Sequence, residues 1–165
     1  MTKTLLELEK IPASASLIAV ATHRLSRLLR AQLGKVLAQC GGMSIAEWRI
    51  LAGLDQQDGI TQKHLIEFTK IEQGQLSRAL AAMEERKLIS STRSDEDRRA
   101  RIFSMTDKGR IFFEQILPSV TAHNRALDAA FSREEKALFL EMVARLAETS
   151  QQSLEEHAYA LRETS

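Results

Sequence analysis

The sequence predicts a mainly α-helical protein with one small β element near its middle. Three observations carry that expectation. Only two prolines and seven glycines occur in 165 residues, and the rest is rich in Ala, Leu, Glu, Arg and Gln, the composition of helices. Apolar residues recur at three- and four-residue steps over long stretches at both ends of the chain. Between residues 88 and 105 that period gives way to two short strand-like runs around a charged tip.

Each element follows in order. Ser16 is placed to cap a first helix whose apolar stripe is Leu17, Val20, Ala21, Leu25, Leu28, Leu29, Val36 and Leu37, and Gly41-Gly42 ends it. Ser44 caps a second helix through Ile45, Trp48, Ile50, Leu51 and Leu54. Gly59 breaks the pattern and Ile60 allows only a brief strand. Thr61 then caps a short helix, Gln62 to Phe68, with Leu65, Ile66 and Phe68 expected inward. The turn Thr69-Lys70-Ile71-Glu72 leads into a longer helix, Gln73 to Arg86. Leu88 to Arg93 and Arg101 to Met105 read as two strands, with Ser94 to Arg99 as their tip. A helix from about Asp107 to Asp128 contains Pro118, where a kink is expected. Ser132 and Glu135 form a capping-box pattern that opens a last helix, carrying Leu138, Phe139, Met142, Val143, Leu146, Leu154, His157 and Leu161.

Helix, short helix, turn, longer helix, hairpin is the order of a winged helix-turn-helix. The expected fold is therefore a winged helix-turn-helix lobe at residues 44–110 with a small β-wing. Long terminal helices, residues 14–41 and 110–162, bear apolar stripes that a chain this short cannot cover alone. They point to a homodimer, with a monomeric helix bundle as the alternative. The whole, residues 1–165, is expected as a single domain long enough to bury a sizeable core.

Composition excludes several function classes. An apolar share of 44% is too high for a disordered chain. No stretch approaches the roughly 18 uninterrupted apolar residues of a membrane span, and Met1 to Lys10 alternates Leu with Lys and Glu unlike a signal peptide, so a cytoplasmic protein is expected. One cysteine, Cys40, precludes an internal disulfide and a multi-cysteine zinc site. His23, His64, His123 and His157 lack metal-ligand spacing. With no nucleophile–base pair and no glycine-rich phosphate loop, neither an enzyme nor a cofactor is expected.

The net charge of +1 looks indifferent to nucleic acid, but its distribution is not. Residues 1–60 carry seven basic and five acidic groups, 61–110 eleven and eight, and 111–165 five and nine. The front of the chain is basic and the tail acidic, which suits a polyanionic partner. On a wheel of about 100° per residue, Leu76, Ala79, Leu80 and Met83 of the longer helix face a core. Gly74, Arg78 and Ala81 lie opposite, flanked by Gln75, Ser77 and Ala82. Small residues allow close approach of the backbone, and Arg and Gln are the side chains that read guanine and adenine edges in the major groove. Gln73 stands in the first turn, where free N–H groups suit a phosphate. Arg93, Arg98, Arg99 and Arg101 concentrate positive charge on the hairpin, suited to the minor groove. Asp97 is placed to orient Arg99. A soluble, mixed-charge hairpin tip is the alternative, since Asp95, Glu96 and Asp97 share it.

The run Trp48-Arg49-Ile50-Leu51, Thr61 to Leu65, Leu76-Ser77-Arg78, Leu88-Ile89, Asp97-Arg98-Arg99 and Met105-Thr106-Asp107-Lys108-Gly109 resembles the MarR family of bacterial transcription regulators, over about residues 16 to 146. The resemblance implies a homodimer that binds a palindromic operator in double-stranded DNA, often released by a small phenolic or other anionic effector or by thiol oxidation. It implies that Gln73, Gln75, Ser77 and Arg78 read DNA, that Arg99, oriented by Asp97 and beside Arg98, enters the minor groove, and that Thr61 and Gln62 touch phosphate. Gly74 and the neighbouring Glu72 to Gln75 depart from the family's usual Ser or Thr. His23, Arg24 and Trp48 are candidate contacts for an effector. Two other readings stay open: a winged-helix adaptor that binds protein instead of DNA, and a thiol sensor acting through Cys40. A buried structural role suits Cys40 better, because no second cysteine can resolve an oxidised one.

Overall fold

The computed structural model describes residues 6–93 and 100–163, with side chains through residue 154. A 3-10 turn, Leu8–Lys10, precedes α1 (Leu17–Gly41), α2 (Ile45–Gln56), β1 (Ile60–Thr61), α3 (Gln62–Thr69), α4 (Gln73–Glu85), β2 (Ile89–Arg93), β3 (Arg101–Met105), α5 (Asp107–Asp128) and α6 (Arg133–Glu163). The fold is mainly helical with a small antiparallel sheet of order β1-β3-β2. Ile60 pairs with Phe103, and the hairpin register runs from Ile89↔Met105 to Arg93↔Arg101. The chain divides into two compact units, Met1–His123 and Asn124–Ser165.

Local chemistry sets the boundaries. The Ser16 hydroxyl accepts from the Ala19 N–H, and Gly42, left-handed at φ 67, closes α1 by donating to the Ala38 carbonyl. Only a residue tolerant of positive φ ends a helix this way cheaply. Ser44 and Glu47 form a reciprocal capping box at the start of α2. Thr61 caps α3 by accepting from the His64 N–H at 3.3 Å. Helix α5 continues unbroken through Pro118.

The core of the first unit lies between Leu37 and Val120. Ile50, Leu51 and Leu54 of α2 meet Leu65 of α3, Leu76, Leu80 and Met83 of α4, and Phe103 of β3, all at most 2% exposed. Trp48 stacks on Phe113 of α5, ring centroids 5.0 Å apart and 18° from parallel. Phe68 corrects an expectation: it is 53% exposed, not inward. Helix α3 has barely two turns, and Leu65 and Thr69, four apart, take its buried face. Phe68 only leans a ring edge on Gly53, 3.0 Å from where a Cβ would stand.

The Thr106-Asp107-Lys108-Gly109 run has a physical role here. The Thr106 hydroxyl faces the carbonyls of Lys87 and Leu88 as donor, at 2.8 and 3.1 Å, and accepts from the Gly109 N–H. Lys108 Nζ donates to the Arg86 carbonyl at 2.8 Å. A Cβ on Gly109 would lie 1.9 Å from the Leu88 carbonyl oxygen, so only glycine lets α5 close on the end of α4.

In the second unit, Ser132 and Glu135 cap α6 reciprocally at 2.8 and 3.1 Å. Its apolar residues Phe131, Leu138, Phe139, Leu140, Met142, Val143 and Leu154 are all exposed. The side chains of His157 and Leu161 lie outside the described residues.

Candidate nucleic-acid interface

The helix-turn-helix is α3, a turn at residues 70–72, and α4. The turn works because Lys70 adopts φ 53 and donates its N–H to the Ile66 carbonyl, ending α3 in one step. Buried Thr69 then locks the corner: its hydroxyl donates to the Leu65 carbonyl at 2.6 Å and accepts from the Ile71 N–H at 3.3 Å. Ile71 drops into the core and the chain re-enters helix.

Helix α4 presents two faces. Leu76, Leu80 and Met83 are buried. Gln73, Gly74, Gln75, Ser77, Arg78, Ala81 and Ala82 are all exposed. The outward face thus offers Arg78 among small residues, with nothing bulky to hold another surface away. Gln62 Nε2 donates to the Ser77 hydroxyl at 2.8 Å and so binds the start of α3 to the reading helix. Thr61 contacts His64 twice, through the His64 N–H and Nδ1. Asp97, Arg98 and Arg99 lie outside the described residues.

Three side chains that sequence reasoning did not join form the root of the wing. Glu84 Oε1, on α4, accepts from the Ser91 hydroxyl of β2 at 2.7 Å and from Arg101 Nη2 of β3 at 2.6 Å. Arg101 also hydrogen-bonds Ser91, and its guanidinium lies over the Phe103 ring. A signal existed: the hairpin register sets Arg93 opposite Arg101, and like charges across a strand pair call for a carboxylate nearby. At the other edge of α4, Arg86 meets Glu47 at 2.6 Å and caps the Phe112 ring.

The candidate effector contacts do not converge. Arg24 Nη1 is taken up by the carbonyls of Leu6 and Glu7, at 2.8 and 2.6 Å. It lines a cavity of about 380 Å3 with Leu6, Glu7, Arg27 and Leu28, to which neither His23 nor Trp48 contributes. The hydrogen bond and charge of Lys10 hold the Glu7 carboxyl below its usual range. His23 is exposed, and Trp48 belongs to the core. Cys40 is half-buried against that core.

Residues 41–100, which span α2 to the wing, match the sequence model of the MarR family. A helix-turn-helix transcriptional regulator of Bacillus subtilis, YdgJ, is 27% identical over 69% of this chain and 70% of its own. Over residues 41–100 the chain is similar to the MarR family. The crystal structure of Sco3205, a MarR-family regulator of Streptomyces coelicolor in complex with DNA, is 21% identical and superposes with a TM-score of 0.73, covering 85% of this chain and 92% of that one. PcaV of Streptomyces coelicolor, solved with its natural ligand, is 18% identical with a TM-score of 0.69, over 84% and 99% of the two chains. The relatives that the chain matches are transcriptional regulators, and the fold it shares with Sco3205 is one solved in complex with DNA. Among the described residues no helix is long and apolar enough to cross a membrane.

Proposed function

We propose that the protein is a homodimeric repressor of the MarR family that binds a palindromic operator and leaves it when a small phenolic or other anionic effector binds. The observation that carries this reading is the outward face of α4, where Arg78 stands exposed among Gly74, Ala81 and Ala82 with Gln75 and Ser77 at its flanks. Such a face fits the major groove, with Arg78 as the base-reading side chain. Two copies of α4 related by a two-fold axis address half-sites about one helical turn, roughly 10 base pairs, apart. Thr61 and Gln62 hold phosphate at the start of α3, while Arg98 and Arg99, with Asp97, serve the flanking minor groove. Gln73 lies at the first turn of α4, where backbone N–H groups face the nucleic acid.

The dimer is supported by the exposed apolar residues of α1 and α6, Leu17, Ile18, Leu138, Phe139 and Met142 among them, which a second copy covers. Effector release is supported by the ligand-bound neighbour PcaV and requires an effector that prefers the DNA-incompetent arrangement.

The test is selection of bound sequences from random DNA, followed by binding of Arg78→Ala to the selected operator. The expected loss is about 1–3 kcal/mol, with relaxed preference at one base position per half-site. Selection that returns no two-fold-related half-sites, or an Arg78→Ala protein that discriminates like wild type, overturns this reading.

A further inference from the structure

A cleft of about 450 Å3 opens on the flank of α4 that carries Gln75. Arg30 of α1, Arg49 of α2 and Lys70 of the turn line it, and Glu72 is the one carboxylate among its lining residues. Like charges drawn together from three separate elements repel unless something negative sits among them. Among the described residues, neither Arg30 nor Lys70 has an ion pair or hydrogen bond through its side chain, and Arg49 gives one N–H to the Thr69 carbonyl at 3.3 Å. The lining therefore holds more positive charge than its own acid balances.

Lys70 supplies a second observation. Its φ of 53 is left-handed, a conformation that glycine adopts freely and asparagine readily. Here the backbone takes that conformation with a lysine in place, at a residue that lines the cleft. Strain of this kind is retained where the surrounding structure has a use for it.

The two flanks of α4 give the cleft its occupant. One flank carries Ser77, bonded to Gln62 at the start of α3. The other carries Gln75 and opens into the cleft. A helix in the major groove has a phosphate backbone on each side, one from each strand. We propose that Arg30, Arg49 and Lys70 seat a backbone phosphate of the strand opposite the one that α3 addresses. This rests on the reading of α4 as the DNA-reading helix. The cleft shares Gln75 with the reading face, so DNA docked on that face covers the cleft mouth and brings a phosphodiester to it. Through Arg30, α1 joins the DNA interface directly.

The test measures affinity against salt concentration, by fluorescence anisotropy on the selected operator and on a random duplex. It compares the wild-type protein with the double variant Arg30→Gln, Lys70→Asn. Asparagine removes the charge and still tolerates the left-handed backbone. Losing one phosphate contact lowers the slope of log affinity against log salt by about 1, equally on both duplexes. An unchanged slope in a double variant that melts at the wild-type temperature overturns the proposal. So does an unchanged slope accompanied by loss of release by benzoate at constant ionic strength, which gives the cleft to a free organic anion. Failure of the DNA-reading assignment is separately visible, because wild type itself then shows no salt-dependent binding to either duplex.

Discussion

The two units are written in the same helical period and end up in opposite states. In the first, residues 37 to 120 bury nineteen apolar side chains around Ile50, Leu51 and Phe103. In the second, α6 repeats apolar residues at three- and four-residue steps, and Leu138, Phe139, Met142 and Val143 remain exposed. Period therefore says which face of a helix is apolar and nothing about what covers it. In the lobe the cover comes from elements close by in sequence. For α6 it must come from outside the unit, and the proposed partner is a second copy.

The largest effect expected follows from that difference. Replacing Leu138 and Met142 of α6 by Glu puts charge on the exposed stripe. At about 2 kcal/mol for each central apolar contact, the dimer dissociation constant rises roughly a thousandfold. Sedimentation is expected to show the 18.5 kDa chain as a monomer at concentrations where wild type sediments as a dimer. The near-ultraviolet circular dichroism of Trp48 is expected to persist, because its stacking on Phe113 belongs to the first unit. A dimer that survives both substitutions removes α6 from the interface.

Gly109→Ala tests the other side of the comparison. The added carbon meets the Leu88 carbonyl at 1.9 Å, and backbone cannot give way as a side-chain tip does. We expect a loss of about 3 kcal/mol, read as a lower denaturation midpoint of the lobe. Dimerisation measured below that midpoint is expected to be unchanged.

How much was legible in the sequence divides along a similar line. The helices, the hairpin and the mainly helical class came from period and caps, which are local: Ser16, Ser44, Thr61 and Ser132 each sit within three residues of the N–H they accept. The outward face of α4 was legible because one helix carries both its faces. Contacts across elements were not. Arg24 is a candidate effector contact from the sequence, and what the sequence does not show is that its Nη1 donates to the Leu6 and Glu7 carbonyls. Arg30, Arg49 and Lys70 have no common period, so their cleft appears only when α1, α2 and the turn are packed. Phe68 misled because its position fits an apolar stripe, while two turns of α3 offer room for only one buried column.

Glu84 sharpens the point about cross-element contacts with a smaller effect. Because it holds Ser91 and Arg101 at the root of the wing, Glu84→Ala is expected to weaken operator binding by about 1 kcal/mol. Half of its bridge is solvent-facing, with Arg101 54% exposed, which keeps the figure low. If the brace acts by placing the wing, the loss disappears in an Arg99→Ala background, since there the wing no longer contributes the contact that the brace positions. Additive losses in the double variant would mean that Glu84 acts on α4 alone.

The smallest expected effect compares two copies of one local motif. Ser44–Glu47 and Ser132–Glu135 are both reciprocal capping boxes of nearly equal bond lengths, yet one opens α2 inside the lobe and the other opens α6. Glu47 is 9% exposed and also binds Arg86 at 2.6 Å. Glu135 is exposed and has no ion pair among the described residues. Glu47→Ala removes the bond that the Ser44 N–H makes to its carboxylate and leaves Arg86 without its partner, a loss of about 2 kcal/mol. Glu135→Ala removes only a solvent-exposed cap bond, about 0.5 kcal/mol. Denaturant midpoints of the two variants separate these values. Equal losses would mean that the cap bond dominates in both places, and that burial in the lobe adds nothing to a motif the sequence writes the same way twice.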